Sequence, residues 1–269
     1  MRGGSPDVGL DQLWQFLDES GKDYFTAPHH TGRAGKYRSF ADPDYDPERE
    51  AVFEIYSMWG SSECRWNRFP IRHGNAEEPA YFRDALRAGC RYGVIASSDD
   101  HQTLPGGQGK LCQAGGRYEL STYIHHGLAA VRASKLSRGA LWDAIQRRDC
   151  YGTTFARSLI DMEIDGIPMG SAAEVSSKQS LWDGREIEVS VLPDGEPPTI
   201  TLIRNDEEIC HATWDPEQAT VTFQDDEPLS EIAVRDARFH PEPFVAYYVR
   251  VEDNNHQTQW SSPIWLDLR

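Results

Sequence analysis

The apolar pattern of the chain changes near Ser158. Before this residue, segments with helical spacing of apolar residues alternate with short runs rich in β-branched and aromatic residues, which are typical of strands. After it the helical pattern disappears, and runs such as residues 186–191 alternate at period two. Alternating strands and helices favour a mainly parallel sheet or barrel, whereas short alternating strands favour an antiparallel sandwich. The sequence therefore predicts an α/β unit over residues 1–158 and a β-sandwich over residues 159–269.

The individual elements follow from the same patterns and from turn and cap residues. The predicted helices cover residues 10–17, residues 79–89 and a segment capped by Ser137, and the predicted strands of the first part cover residues 24–27, 51–56, 94–96, 127–132 and 151–155. The β-rich runs of the second part cover residues 186–191, 199–203, 219–223 and 244–251.

Charge and apolar content limit the partners of the chain. Its 43 acidic residues against 27 Lys and Arg give a net charge of -16 at pH 7, which argues against nucleic acid or an anionic membrane as the main partner. No apolar run approaches the roughly 20 residues of a membrane span, and residues 1–6 carry no apolar signal core. Five widely spaced cysteines without a CxxC pair favour a reducing compartment. We expect a soluble, cytoplasmic protein, with a signal segment upstream of Met1 left open.

Two short polar clusters each follow a predicted strand. Residues 27–32 read Ala-Pro-His-His-Thr-Gly, and residues 96–101 read Ala-Ser-Ser-Asp-Asp-His. In an extended segment Asp99 and His101 point to the same side, where a carboxylate and an imidazole can share a metal ion. His29 and His30 are adjacent, so in an extended chain they face opposite ways and one of them is expected as a direct ligand. Each cluster taken alone is equally compatible with a polar turn.

Three further residues are candidates near these clusters. Glu54 lies among apolar neighbours in a predicted strand, where an unpaired carboxylate is costly, so a metal or hydrogen-bond donors are needed unless the position is half-exposed. Arg157 follows the last strand of the first part and is a candidate anion clamp, although a surface salt bridge is the commoner use of such an arginine. Asp100 is a candidate for orienting water or a ligand.

Taken in order, five segments resemble the polymerase-and-histidinol-phosphatase (PHP) superfamily, and in particular its branch called domain-of-unknown-function family 3604. These segments are residues 24–32, residues 52–57 with 60–63, residues 93–101, residues 127–131 and residues 151–154. The resemblance implies a distorted barrel of βα units, divalent metals at the strand ends and phosphoester hydrolysis. It implies metal ligands at His29 or His30, at Asp99 and at His101, with Glu54 as a less certain ligand.

One departure from that family is large. The family opens with a His-x-His on its first strand, and this chain has no His-x-His anywhere. We therefore expect a partial or distorted (βα) barrel of PHP type followed by a small antiparallel β-sandwich. We also expect an in-frame segment with His-x-His upstream of Met1.

The sequence thus favours a hydrolase that uses divalent metal ions (Zn, Mn or Fe) and a metal-activated water on a small anionic substrate, with a homo-oligomer left open. The predicted metal ligands are His29, His30, Glu54, Asp99 and His101, and the predicted catalytic residues are Asp100 and Arg157. The alternative is a non-catalytic or truncated protein whose sandwich serves ligand binding or assembly. Four tryptophans of the second part motivate it, although core packing is their commoner fate: Trp182, Trp214, Trp260 and Trp265.

Overall fold

The computed structural model describes residues 9–35, 38–41, 45–77, 79–99, 112–114, 117–119, 126–218, 220–254 and 257–269. The helices in this part of the chain are α1 (Leu10–Glu19), α2 (Phe82–Arg87), α3 (Arg138–Gln146) and α4 (Leu229–Ile232), with a 3-10 turn at Ser180–Trp182. The strands are β1 (Val52–Ser57), β2 (Gly60–Ser61), β3 (Gly93–Ala96), β4 (Cys112–Ala114), β5 (Arg117–Glu119), β6 (Leu128–Val131), β7 (Cys150–Thr153), β8 (Leu159–Ile164), β9 (Ile167–Pro168), β10 (Ala172–Val175), β11 (Arg185–Leu192), β12 (Thr199–Arg204), β13 (Glu207–Thr213), β14 (Thr220–Asp225), β15 (Phe244–Glu252), β16 (Thr258–Ser261) and β17 (Ile264–Leu268).

The described strands form three sheets and one hairpin. The large sheet runs β10-β17-β15-β16-β7-β6, and β12 and β13 extend it from the other edge of β15. A four-stranded antiparallel sheet has the order β14-β11-β8-β9, and a three-stranded sheet has the order β2-β1-β3. The hairpin consists of β4 and β5. The large sheet joins strands from both sides of position 158.

Strand β15 has both faces buried. Its residues Val245, Tyr247, Val249 and Val251 contribute to the core shared with the four-stranded sheet. The alternate residues, among them Phe244 and Tyr248, contribute to a second core shared with β1, α2 and β3. Because successive side chains of a strand point to opposite faces, the unbroken apolar run of β15 supplies two cores at once.

The three-stranded sheet carries the one parallel pair that concerns the site. Strands β1 and β3 are parallel, with Glu54 opposite Ile95, and the crossover between them contains α2. The start of α2 is fixed by Asp84, whose carboxylate accepts hydrogen bonds from the amides of Ala80 and Tyr81. The carboxyl ends of β1 and β3 therefore lie side by side.

The large sheet approaches β3 closely at a glycine. A Cβ built on Gly152 of β7 lies 2.9 Å from the carbonyl carbon of Ile95. A side chain at this position therefore requires the two backbones to move apart.

The prediction of a partial or distorted (βα) barrel in the first part of the chain is wrong. Strands account for 36% of the described residues and helices for 14%, and the strands form several separate sheets instead of a closed parallel ring. Strands β6 and β7, predicted as barrel strands, pair antiparallel with each other, and β7 pairs with β16. The physical reason is that the local pattern of a short apolar run does not specify its partner, and β16 offers β7 a complementary edge.

Residues 24–27 also differ from their prediction as a strand. They do not form a strand, although the amide of Thr26 donates to the carbonyl of Arg49 and the amide of Glu54 donates to that of Pro28. This segment accompanies β1 through single hydrogen bonds. In the described residues, every helix is too short or too polar to cross a membrane.

Candidate metal centre

Two loops meet beside the three-stranded sheet. The first carries His29 and His30 directly after the segment that accompanies β1, and the second carries Asp99 three residues after the end of β3. Because β1 and β3 are parallel neighbours, polar residues that leave this end of the sheet are brought close together.

Three side chains converge there. The Oδ2 atom of Asp99 lies 3.4 Å from Nε2 of His29 and 3.4 Å from Nδ1 of His30. One ligand atom from each residue lies within 4.8 Å of the other two. His30 and Asp99 are largely buried, whereas 46% of the His29 side chain remains exposed. Two imidazoles and a carboxylate at these distances are a donor set suited to a divalent transition metal.

The backbone explains why both histidines take part. His30 has φ 30° and Asp99 has φ 47°, which are uncommon values for residues other than glycine. The turn at His30 places its ring on the same side as that of His29, with ring centroids 3.6 Å apart. The expectation of opposite-facing histidines assumed an extended chain, and the structure differs at this backbone angle. Backbone strain of this kind concentrates at functional sites.

The carboxylate of Glu54 contacts the ring of His29. Its Oε1 lies 2.8 Å from Nδ1 of His29 and accepts a hydrogen bond from the amide of His30 at 3.2 Å. Its Oε2 accepts a hydrogen bond from the hydroxyl of Ser97. A carboxylate on the second nitrogen of a ligating histidine fixes the orientation and tautomer of the ring. The geometry gives Glu54 this orienting contact.

The site concentrates negative charge around His29. Burial lowers the pKa of His29, but hydrogen bonds to Asp99 and Glu54 outweigh burial and raise the pKa to about 9. Burial raises the pKa of Asp99, and hydrogen bonds to His29 and His30 reverse this effect and hold it well below its usual range. The two carboxylates therefore attract a positive charge, which a proton on His29 supplies when no other cation is present.

The remaining predicted site residues are not among the three converging side chains or lie outside the described part of the chain. Asp100 and His101 lie outside the described residues. Arg157 is exposed after β7, and its amide donates to Asp194. Glu63, which follows β2, is buried in a separate cluster with Arg83 and Arg250.

Sequence reasoning missed two residues near the centre. The hydroxyl of Ser97 donates a hydrogen bond to Glu54, and His126 is buried with 4% of its surface exposed. The amide of Gly127, next to His126, donates to the carbonyl of Ser97 at 2.9 Å, which brings His126 to this end of β3. The available signal was the position of His126 just before a predicted strand.

Comparisons with known proteins give relatives without a described function. The chain is 33% identical to an uncharacterized protein of Chlamydia pneumoniae over 254 residues, which cover 91% of this chain and 38% of the relative. It is 34% identical to an uncharacterized protein of Chlamydia trachomatis serovar D over 242 residues, which cover 84% of this chain and 36% of the relative. The chain thus spans little more than a third of the length of these relatives. No family model and no solved structure matches the chain.

Proposed function

We propose that this protein is a metal-dependent hydrolase that acts on phosphoester substrates and binds its metal through His29, His30 and Asp99. The observation that carries the proposal is the convergence of these three side chains within 4.8 Å of one another. The left-handed backbone at His30 and Asp99 supports it, because strain is retained where the surrounding structure holds ligands in place.

The chain's own residues have distinct tasks in this proposal. Glu54 orients the ring of His29 through the 2.8 Å contact with Nδ1, which leaves Nε2 facing Asp99. A divalent Zn, Mn or Fe ion at these ligands would polarise a phosphoryl oxygen and lower the pKa of a water toward ~7. His101 as a further ligand, Asp100 as a residue that orients water and Arg157 as an anion clamp complete the proposal.

Metal content tests the site directly. Purified protein, reconstituted with Zn²⁺ or Mn²⁺ and desalted, is analysed for bound metal in wild type and in His30→Gln, Asp99→Asn and His101→Ala variants. We expect the three variants to lose most of the metal, because each removes one ligand from a small set. His211→Gln is the matched control, since His211 is an exposed histidine on β13. Equal metal content in wild type and in both His30→Gln and Asp99→Asn would refute the site.

Turnover is tested separately with p-nitrophenyl phosphate and bis(p-nitrophenyl) phosphate. We expect turnover with added Mn²⁺ or Zn²⁺ that disappears with chelator and in Asp99→Asn. Arg157→Ala is expected to raise KM while metal content stays unchanged. Metal retention without turnover would instead favour the alternative, a non-catalytic protein.

The structure locates the tryptophans that motivated that alternative. Trp260 and Trp265 are each 1% exposed and lie within a core, and Trp182 and Trp214 pack against the other core. Their main contribution is therefore to packing.

A further inference from the structure

A cavity of about 290 Å³ lies beside the loop that follows β2, and its lining includes none of the residues of the candidate metal centre. The loop that follows β2 forms one wall with Trp66, Arg68 and Phe69, and the other wall consists of residues from β13, β15 and β16. This volume corresponds to on the order of ten waters at about 30 Å³ each, which is the size of one sugar ring.

We propose that this cavity binds a neutral sugar, with the indole of Trp66 stacked on the ring of the ligand. Trp66 is 84% exposed, although a large aromatic side chain normally buries most of its surface. Arg65 lies 5.7 Å from its ring centroid and leaves this large area open. An exposed indole beside hydrogen-bonding groups matches a ligand with an apolar C–H face and a hydroxylated rim.

The loop that carries Trp66 is held in place before any ligand arrives. The side-chain amide of Asn67 donates to the carbonyl of Ser61 and accepts from the amide of Phe69. Arg68 donates to the carbonyl of Asp253 at 2.8 Å, which ties the loop to the end of β15. A preorganised wall loses little conformational entropy on binding.

The charges balance when the five charged residues of the cavity wall are taken together with Arg83, which does not line the cavity but pairs with Glu63 and Glu208. Three carboxylates and three guanidinium groups form one connected network of ion pairs: Glu63, Glu208, Glu252, Arg68, Arg83 and Arg250. An ionic ligand would have to break one of these pairs, which costs more than it returns inside a partly buried site. A neutral polyhydroxylated ligand can donate to the carboxylates and accept from the guanidinium groups while the pairs remain intact.

A buried hydroxyl at the cavity supports the same ligand. Thr258 lines the cavity and is fully buried, and its hydroxyl makes no hydrogen bond within the described residues. Its amide, by contrast, donates a hydrogen bond to the hydroxyl of Thr154. A buried hydroxyl without a partner is costly, and a ligand hydroxyl would satisfy it.

Saturation-transfer difference NMR of the whole chain tests the proposal with methyl α- and β-glycosides of glucose, galactose and mannose. We expect at least one glycoside to bind with a dissociation constant on the order of 1 mM, as expected for a small ligand with few contacts. Trp66→Ala should abolish the signal, and Trp66→Phe should retain part of it. Phe16→Ala should leave it unchanged, because Phe16 is an exposed aromatic residue on α1.

Two further measurements separate ligand binding from structure. Thr258→Val should weaken binding several-fold while the unfolding midpoint is unchanged or higher. Glucosamine and glucose 6-phosphate, which add a charge to the same ring, should bind more weakly than the neutral glycosides. Three results would overturn the proposal. They are a signal that survives Trp66→Ala, tighter binding of a charged sugar than of the neutral glycosides, and the absence of any signal at glycoside concentrations well above 1 mM.

Discussion

Replacing Glu63 by glutamine should destabilise the protein strongly, because Glu63 is the fully buried acceptor of the ion-pair network. Its carboxylate accepts hydrogen bonds from the guanidinium groups of Arg83 at 3.0 Å and Arg250 at 2.9 Å. It also accepts hydrogen bonds from the hydroxyl of Tyr248 and from the indole N–H of Trp260, each at 2.8 Å. Removing one partner of a buried pair costs about 3–5 kcal/mol. Glutamine keeps the shape and one acceptor oxygen, so we expect the lower end of this range.

Glu208→Gln is the matched control for this prediction. Glu208 faces the same two arginines at 3.0 and 2.9 Å, but 46% of its side chain is exposed. Exposed ion pairs contribute about 0.2–1 kcal/mol, so this variant should lose less than about 1 kcal/mol. The two substitutions remove the same chemical group from the same arginines, and they differ in burial and in the two further donors of Glu63, Tyr248 and Trp260.

Chemical and thermal denaturation, both followed by tryptophan fluorescence, give the free energy of unfolding and the Tm of both variants. At about 2–4 °C per kcal/mol for a chain of this size, Glu63→Gln should lower Tm by roughly 6–12 °C. Equal losses in the two variants, or a loss below about 1 kcal/mol for Glu63→Gln, would refute the argument that burial makes this pair costly to break.

The same residue predicts the pH dependence of stability. Burial raises the pKa of Glu63, but the charges of Arg250 and Arg83 outweigh burial and hold the pKa below the ordinary value of 4.5. A depressed carboxyl pKa contributes stability that is present above 4.5 and is lost as the pH falls through the folded-state pKa. The free energy of unfolding of wild type should therefore fall below pH 4.5 more steeply than that of Glu63→Gln. An equal pH dependence of the free energy of unfolding in wild type and in Glu63→Gln would contradict the depressed pKa of Glu63.

Four further substitutions can be measured by the same denaturation assays. Gly152→Ala should cost about 1–3 kcal/mol because its new Cβ meets the backbone of β3, whereas Gly139→Ala in α3, where nothing lies within 4 Å, should gain up to about 1 kcal/mol. Ser137→Ala should cost about 1 kcal/mol because the hydroxyl of Ser137 caps α3, and no loss would contradict the cap. Leu202→Ala should cost about 2–5 kcal/mol because Leu202 is fully buried. A loss below about 1 kcal/mol would show that the surrounding core relaxes into the space left by the removed side chain.

Local elements were predictable where the signal lies within a few residues. The apolar run before Ser57 became β1, the run before Ser97 became β3, and Ser137 caps α3 as expected. The β-rich run at residues 244–251 became β15. In each case the residues that decide the conformation are neighbours in the sequence.

Strand pairing was not predictable from the same patterns. Nothing local to β7 states that its neighbours are β6 and β16, which lie on opposite sides of it in the sequence. The error in fold class followed from assuming that strands separated by a helix pair in parallel. Since β6 and β7 are connected through α3 and are nevertheless antiparallel, the assumption fails at that pair.

The candidate site was accessible to sequence reasoning only in part. The positions of His29, His30 and Asp99 after apolar runs indicated a shared edge, and the structure brings these three residues together. The backbone angle of His30 and the burial of His126 were not accessible, because both depend on contacts with distant parts of the chain.

The double burial of β15 has a consequence for how the protein is made. During synthesis the residues of β1, α2 and β3 leave the ribosome long before Phe244 does. Until then the aromatic face around Phe53 and Phe82 is not covered by β15. Folding that must wait for such distant partners is slow, and the waiting chain exposes apolar surface. We therefore expect the nascent chain to depend on chaperones until β15 inserts, and both cores to close together at that step.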